Sequence, residues 1–163
     1  MLNKNLKEII YRGGVVRFRI PEHWIEEYDD YEGGTFYDDA EGSGTFRLSL
    51  LTLNTPPAED STSFTRRLVL AASQPGRALK IHLLTNDNSL VSFTNSAFEE
   101  GNELLIYHWL LGHLIPPNHA RLAQFSFTIL LSQTNKPEFI EQVALLEREI
   151  SLAEFAPSLG IVE

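Results

Sequence analysis

The sequence predicts an α+β fold: one antiparallel sheet of six to eight strands, covered by helices. Three observations carry that expectation. Apolar and polar residues alternate in short runs along most of the chain, the period of half-buried strands. The separators are short and rich in turn formers: Asn86-Asp87-Asn88, Glu100-Gly101-Asn102 and Pro116-Pro117-Asn118. Connections that short join antiparallel neighbours, because a parallel crossover needs about a dozen residues or more. Lastly, one segment near the C-terminus repeats its apolar residues at helical spacing.

The elements follow in order. Ile9 to Arg12 and Val15 to Ile20 read as two strands around a Gly13-Gly14 hairpin turn, although Leu6, Ile9 and Ile10 also fit a helical face. Pro21 cannot donate to a ladder and ends the second strand, and Trp24 follows it. Gly33-Gly34 precedes a short Thr35-Phe36-Tyr37 strand, and Gly42-Ser43-Gly44 turns into a long one, Thr45 to Leu53. There Phe46, Leu48 and Leu50 share one side, and Arg47, Ser49 and Leu51 the other. A loop at Asn54-Thr55-Pro56-Pro57 leads to a first helix, capped by Asp60 or Ser61, with Phe64, Leu68 and Ala71 or Ala72 as its apolar stripe. Pro75-Gly76 stops it. Strands return at Leu79 to Leu84, Leu90 to Phe98, Leu104 to Leu114 and Ala120 to Leu131. Pro137 then opens a second helix, which buries Phe139, Ile140, Val143, Leu146 and Ile150, and Pro157 closes it.

The chain has 163 residues, 43% hydrophobic and 21% charged, which excludes disorder, collagen and coiled coil as descriptions of the whole. A chain of this length buries about two-thirds of its extended surface. No linker, repeat or low-complexity stretch divides it, so residues 1–163 are expected to form a single domain. No apolar run approaches the roughly 18 residues of a membrane span. There is no cysteine, which removes thiol nucleophiles, disulfides and thiolate metal sites. The N-terminus shows no apolar signal region, so a cytoplasmic protein is expected.

Charge is unevenly placed. The net charge is −9, and Glu26, Glu27, Asp29, Asp30, Glu32, Asp38, Asp39 and Glu41 lie in one stretch without a Lys or Arg. An acidic chain repels phosphate backbones, so nucleic acid is not the expected ligand. Burying uncompensated carboxylates is costly, so residues 26 to 41 are expected to form an exposed loop and hairpin beside the sheet. Glu26, Glu27, Asp29, Asp30, Glu32, Asp38 and Asp39 are the candidate partner-binding residues, and such a patch attracts a basic protein by long-range steering.

Catalytic, metal and cofactor patterns were each weighed and none is assigned. His108 and His113 lie five apart on one strand, which sends them to opposite faces. His113 and His119 flank the Pro116-Pro117 turn, and His23 and His82 stand alone. The acidic stretch fails the calcium-loop pattern, because the bidentate glutamate would fall at Leu50. Adjacent acids in a solvated loop do not make a glycosidase pair, and Gly42-Ser43-Gly44 is not a nucleophile elbow. Gly-rich phosphate loops are absent from the sequence. The aromatics of the strands, with Tyr107 and Trp109 sharing a face of their strand, as Phe125 and Phe127 do of theirs, read as core, or else as a groove for a partner peptide.

The strand ending in Ile20-Pro21-Glu22-His23-Trp24, the short Phe36 strand, the Gly turn into Thr45–Leu53, the Pro loop, the helix, further antiparallel strands and a C-terminal helix together resemble the PsbP-like and Mog-like superfamily. The resemblance implies an α/β/α sandwich. Members of that superfamily include photosystem accessory subunits, a small-GTPase-binding factor and many bacterial proteins, and they are mostly binding modules. Only structural positions match, so the resemblance transfers no functional residue. The expected function is a non-enzymatic, bacterial-type cytoplasmic domain that binds another protein, with a homodimer left open and no cofactor. The alternatives are an immunity or neutralising protein for a basic toxin, and a hydrolase using His108 or His113.

Overall fold

Alternation becomes strand throughout the molecule, in two antiparallel sheets where the sequence suggested one. The computed structural model describes residues 5–31, 33–56, 61–73 and 77–158. Its strands are β1 (Leu6–Tyr11), β2 (Val16–Pro21), β3 (Ile25–Asp29), β4 (Gly33–Tyr37), β5 (Thr45–Asn54), β6 (Arg77–His82), β7 (Ser89–Glu99), β8 (Asn102–Ile115), β9 (His119–Leu130) and β10 (Glu154–Phe155). Three of them form a small sheet in the order β1-β2-β10, and seven form a large one in the order β3-β4-β5-β9-β8-β7-β6. The first segment is a strand and not a helix, pairing from Leu6 opposite Pro21 to Tyr11 opposite Val16.

Alternation alone does not say which strands share a sheet, and here Pro21 decides it. Glu22 and Trp24 bond back to Asn5 and Pro21 backbone carbonyls, and this corner carries the chain from the small sheet to the edge of the large one. Val16, Phe18 and Ile20 bury one face of β2, while Arg17 and Arg19 stay on the other. That buried face lies over Phe36, Phe46, Leu48, Phe125 and Phe127 of the large sheet, in one continuous core. Trp24 is 3% exposed and stacks on Phe127 with ring centroids 6.2 Å apart.

The second helix, α2 (Pro137–Ser151), completes this layer beside β2 and above β8. Phe139, Leu146 and Ile150 are buried, but Ile140 is 55% exposed and drops out of the expected stripe. A charged residue takes part instead: Glu149 is 2% exposed. Its carboxylate accepts two bonds from Arg19, at 2.9 and 3.2 Å, and one from Arg148 at 3.1 Å. Buried carboxylates are stable only when so paired, and hydrophobic periodicity cannot reveal them.

The first helix, α1 (Ser61–Ala72), packs on the opposite face of the large sheet, against β7 and β8. Its buried line is Thr65, Val69 and Ser73, one residue on from the expected Phe64, Leu68 and Ala72. The shift has a physical reason. Thr65 meets Ser89 hydroxyl to hydroxyl at 2.7 Å, and a Cβ on Gly112 would stand 3.0 Å from Val69, so the helix sits where β8 lets it approach. The cap assigned to Asp60 or Ser61 rests on side chains outside the described residues. Helix cover is modest: α1 shields one end of its face, and among the described residues no other element lies over the rest. Among the described residues no helix is long and apolar enough to cross a membrane.

Three substitutions at two positions test this packing. Trp24→Ala is expected to cost about 3–5 kcal/mol. Trp24→Phe should cost clearly less, because it keeps a ring on Phe127 and removes an indole N–H that is buried without a partner among the described residues. Glu149→Gln should cost about 1.5–3 kcal/mol, the worth of hydrogen bonds to a charged group. Urea unfolding of the three variants checks both.

Candidate functional site

The acidic stretch is more ordered than a solvated loop. Residues 25–29 form β3, one of the two edge strands of the large sheet, so the expected hairpin is paired into the sheet and does not lie beside it. Edge strands expose unpaired backbone groups, and charged side chains discourage stray pairing there. β4 holds β3 in place from within. Gly33 has φ +100°, and a Cβ there would collide with the Leu48 carbonyl of β5, so only glycine permits this approach.

The carboxylates differ in their surroundings. Glu26 meets the Lys7 ammonium at 2.7 Å and accepts the Tyr28 hydroxyl at 2.6 Å. Lys7 first, then Tyr28, holds its carboxyl below the usual value. Burial, and next Glu26, pushes the Tyr28 phenol upward. Glu27 accepts the Tyr37 hydroxyl at 2.6 Å, which raises that phenol too. Asp29 accepts the Tyr31 N–H at 2.7 Å, and Asp38 meets His23 at 3.1 Å. Asp30, Asp39 and Glu41 are exposed, and Glu32 lies outside the described residues. The stretch is therefore partly compensated: Lys7 brings a positive charge to it from β1, which sequence proximity did not reveal.

A second feature lies on the open face of the large sheet, beyond the end of α1. Strand register lays out one row across it: Thr35 opposes Arg47, Arg47 opposes Ser126, Ser126 opposes His108, and His108 opposes Phe93. Two cavities of about 390 and 350 Å³ flank this row, and Arg47 lines both. Sequence reasoning passed over this groove, although a signal was there. Arg47 and Ser49 in β5, and Gln124, Ser126 and Thr128 in β9, are polar at alternate positions of central strands, where a covered face would be apolar.

Of the two readings of the strand aromatics, core is the one found for Trp109, Phe125 and Phe127, which are at most 1% exposed. The histidines do not converge. His108 stacks on Phe93 at 4.7 Å, and its Nε2 lies 3.4 Å from the Asn95 amide nitrogen. His113 reaches the other face, where Nδ1 meets Asn88 Oδ1 at 2.8 Å and the ring stacks on Phe155. It opposes Arg121 and not His119. A grouping the sequence did not suggest joins His82, Ser92 and Glu147. His82 Nε2 lies 2.8 Å from the Ser92 hydroxyl and 3.7 Å from Glu147. Both partners approach the same ring nitrogen, whereas a catalytic relay places the acid on Nδ1. Trp109 also donates to Glu147, at 3.2 Å, so this network ties α2 to the sheet. Among the described residues no three His, Asp or Glu side chains form a metal site.

Burial lowers the proton affinity of His82, His108 and His113 below the usual histidine value of 6.5. Each then binds fewer protons folded than unfolded near pH 6, so the stability they contribute is full above 6.5 and is lost as pH falls through it. The melting temperature is expected to drop between pH 7.5 and 5.5, about one unit either side of the free histidine value. His108→Gln with His113→Gln should flatten that slope, and an equal slope in the double variant would refute the assignment.

Comparison with protein families and with curated proteins gives no match. Solved structures do match. A protein of Bacteroides thetaiotaomicron VPI-5482 superposes with TM-score 0.62 at 17% identity, over 92% of this chain and 48% of that one. The chain thus spans about half the length of the Bacteroides protein. LpqN of Mycobacterium tuberculosis, involved in cell envelope biogenesis, gives TM-score 0.61 at 9% identity, over 94% of this chain and 91% of LpqN. A point mutant of Mog1 gives 0.54 at 14% identity, over 93% of this chain and 96% of Mog1. With the Pro21–Trp24 corner, the seven-stranded antiparallel sheet and the two helices in place, the chain has the PsbP/Mog-like fold.

Proposed function

We propose that this protein is a non-catalytic binding module whose partner is another protein, met through a basic surface at the acidic edge. One observation carries the reading: β3 is at once an edge strand of the large sheet and part of the most acidic stretch of the chain. Glu27 and Asp29 project from it, and the exposed Asp30 and Asp39 flank the same hairpin. Carboxylates gathered on one edge steer a cationic partner toward it and accelerate encounter. They oppose nucleic acid for the same reason. The proposed setting is the cytoplasm, and the narrower form of the reading is a protein that neutralises a basic toxin.

The test leaves Glu26 in place, since Lys7 depends on it. Glu27→Gln, Asp29→Asn, Asp30→Asn and Asp39→Asn are combined, and wild type and variant are used as bait in lysate from the native host at low and high salt. The expected result is a basic protein captured by wild type, lost by the variant, and released as the Debye length falls from about 10 Å at 0.1 M to about 3 Å at 1 M. Equal capture by both baits at both salts would overturn the proposal.

A further inference from the structure

The groove on the open sheet face asks for an explanation that the acidic edge does not give. Among the residues whose side chains are described, Arg47 is the only Lys or Arg that points from a strand onto this face, in a chain of net charge −9. Among the described residues its guanidinium meets no carboxylate within ion-pair distance and makes no hydrogen bond. Its neighbours in the register are uncharged: Thr35 and Ser126 across the ladder, Thr45 and Ser49 along its own strand. Glu27 is two strands away, roughly 10 Å by strand spacing, and is engaged by Tyr37. Glu99 lines the far end of the 350 Å³ cavity. A guanidinium with five donors, ringed by hydroxyls and amides, is arranged to receive an anion.

The 390 Å³ cavity adds the second half of the argument. Beside Arg47 it is walled by the stacked rings of Phe93 and His108 and by Leu110 and Ala72. The volume lies in the range of small-molecule sites, which are largely apolar with a few placed polar groups. Asn95 lies within contact of His108 Nε2, and the imidazole offers a flat surface stacked on Phe93.

We propose that this groove binds a small amphipathic anion, its carboxylate, sulfonate or phosphate on Arg47 and its apolar body against Phe93, His108 and Leu110. The site is separate from the acidic edge and stands or falls without it. A suitable probe is anilinonaphthalene sulfonate, titrated by fluorescence into the full chain, with phenylnaphthylamine as the same rings without the anionic group. The expected result is saturable binding of the sulfonate at one site. Arg47→Gln should weaken it about tenfold or more, as loss of a charge-assisted bond does, and Arg47→Lys should weaken it less. The neutral probe should bind wild type and Arg47→Gln equally. Amide shifts in the NMR spectrum should centre on Asn95, His108, Gln124 and Ser126. Non-saturable binding, an unchanged affinity in Arg47→Gln, or shifts centred on the acidic hairpin or on α2 would overturn the proposal. A second copy covering the face, seen as a dimer by sedimentation and blocked by no probe, would overturn it as well.

Discussion

Everything else in this molecule depends on two sheets meeting through aromatic rings. Phe18, from the small sheet, stands edge-on to Phe36, Phe46 and Phe125 of the large one, at 5.8, 6.3 and 5.3 Å. Edge-to-face contacts add about 0.5–1.5 kcal/mol each beyond the area they bury. They also fix an angle, which plain burial does not. With Phe18 seated among those rings, β2 has one orientation over the large sheet, and α2 has one place beside it. The Arg19–Glu149 pair then joins strand to helix across 130 positions of sequence.

Much of this was legible in the amino-acid sequence. The three long strands from Leu90 onward fall within a few residues of where alternation puts them, because each has one face in the core and short turns fix its ends. The second helix was legible from Pro137 and the Phe139–Ile150 stripe. What alternation could not convey was partnership. It does not say that β1 and β2 leave the main sheet, since a strand looks the same in either. Nor does hydrophobicity find contacts made by hydroxyls and charges, so Thr65 on Ser89 and Glu149 on Arg19 were invisible, and the first helix was read one residue out of phase.

The two candidate sites had the same fate for opposite reasons. The acidic stretch announces itself by composition, yet the cation that meets it is Lys7, in another strand. The Arg47 groove has no compositional signature. It exists only because register places alternate polar residues from several strands in one row, and because α1 ends before covering them. Charge is thereby sorted in space: carboxylates collect at the sheet's edge, and a single guanidinium holds the middle of its open face.

Lys7 does more than balance Glu26. Its ammonium also donates to the Trp24 carbonyl at 2.7 Å, and five residues on, Arg12 donates to the Asp30 carbonyl at 3.1 Å. The first hairpin is therefore stitched at both ends to the strand that borders the large sheet. Order in one is linked to order in the other, and such linkage is reciprocal. A ligand that braced the acidic strand would quiet the N-terminal hairpin, and any loosening of that hairpin would be felt as a weaker grip at the far edge. The border of the sheet thus carries information about the beginning of the chain.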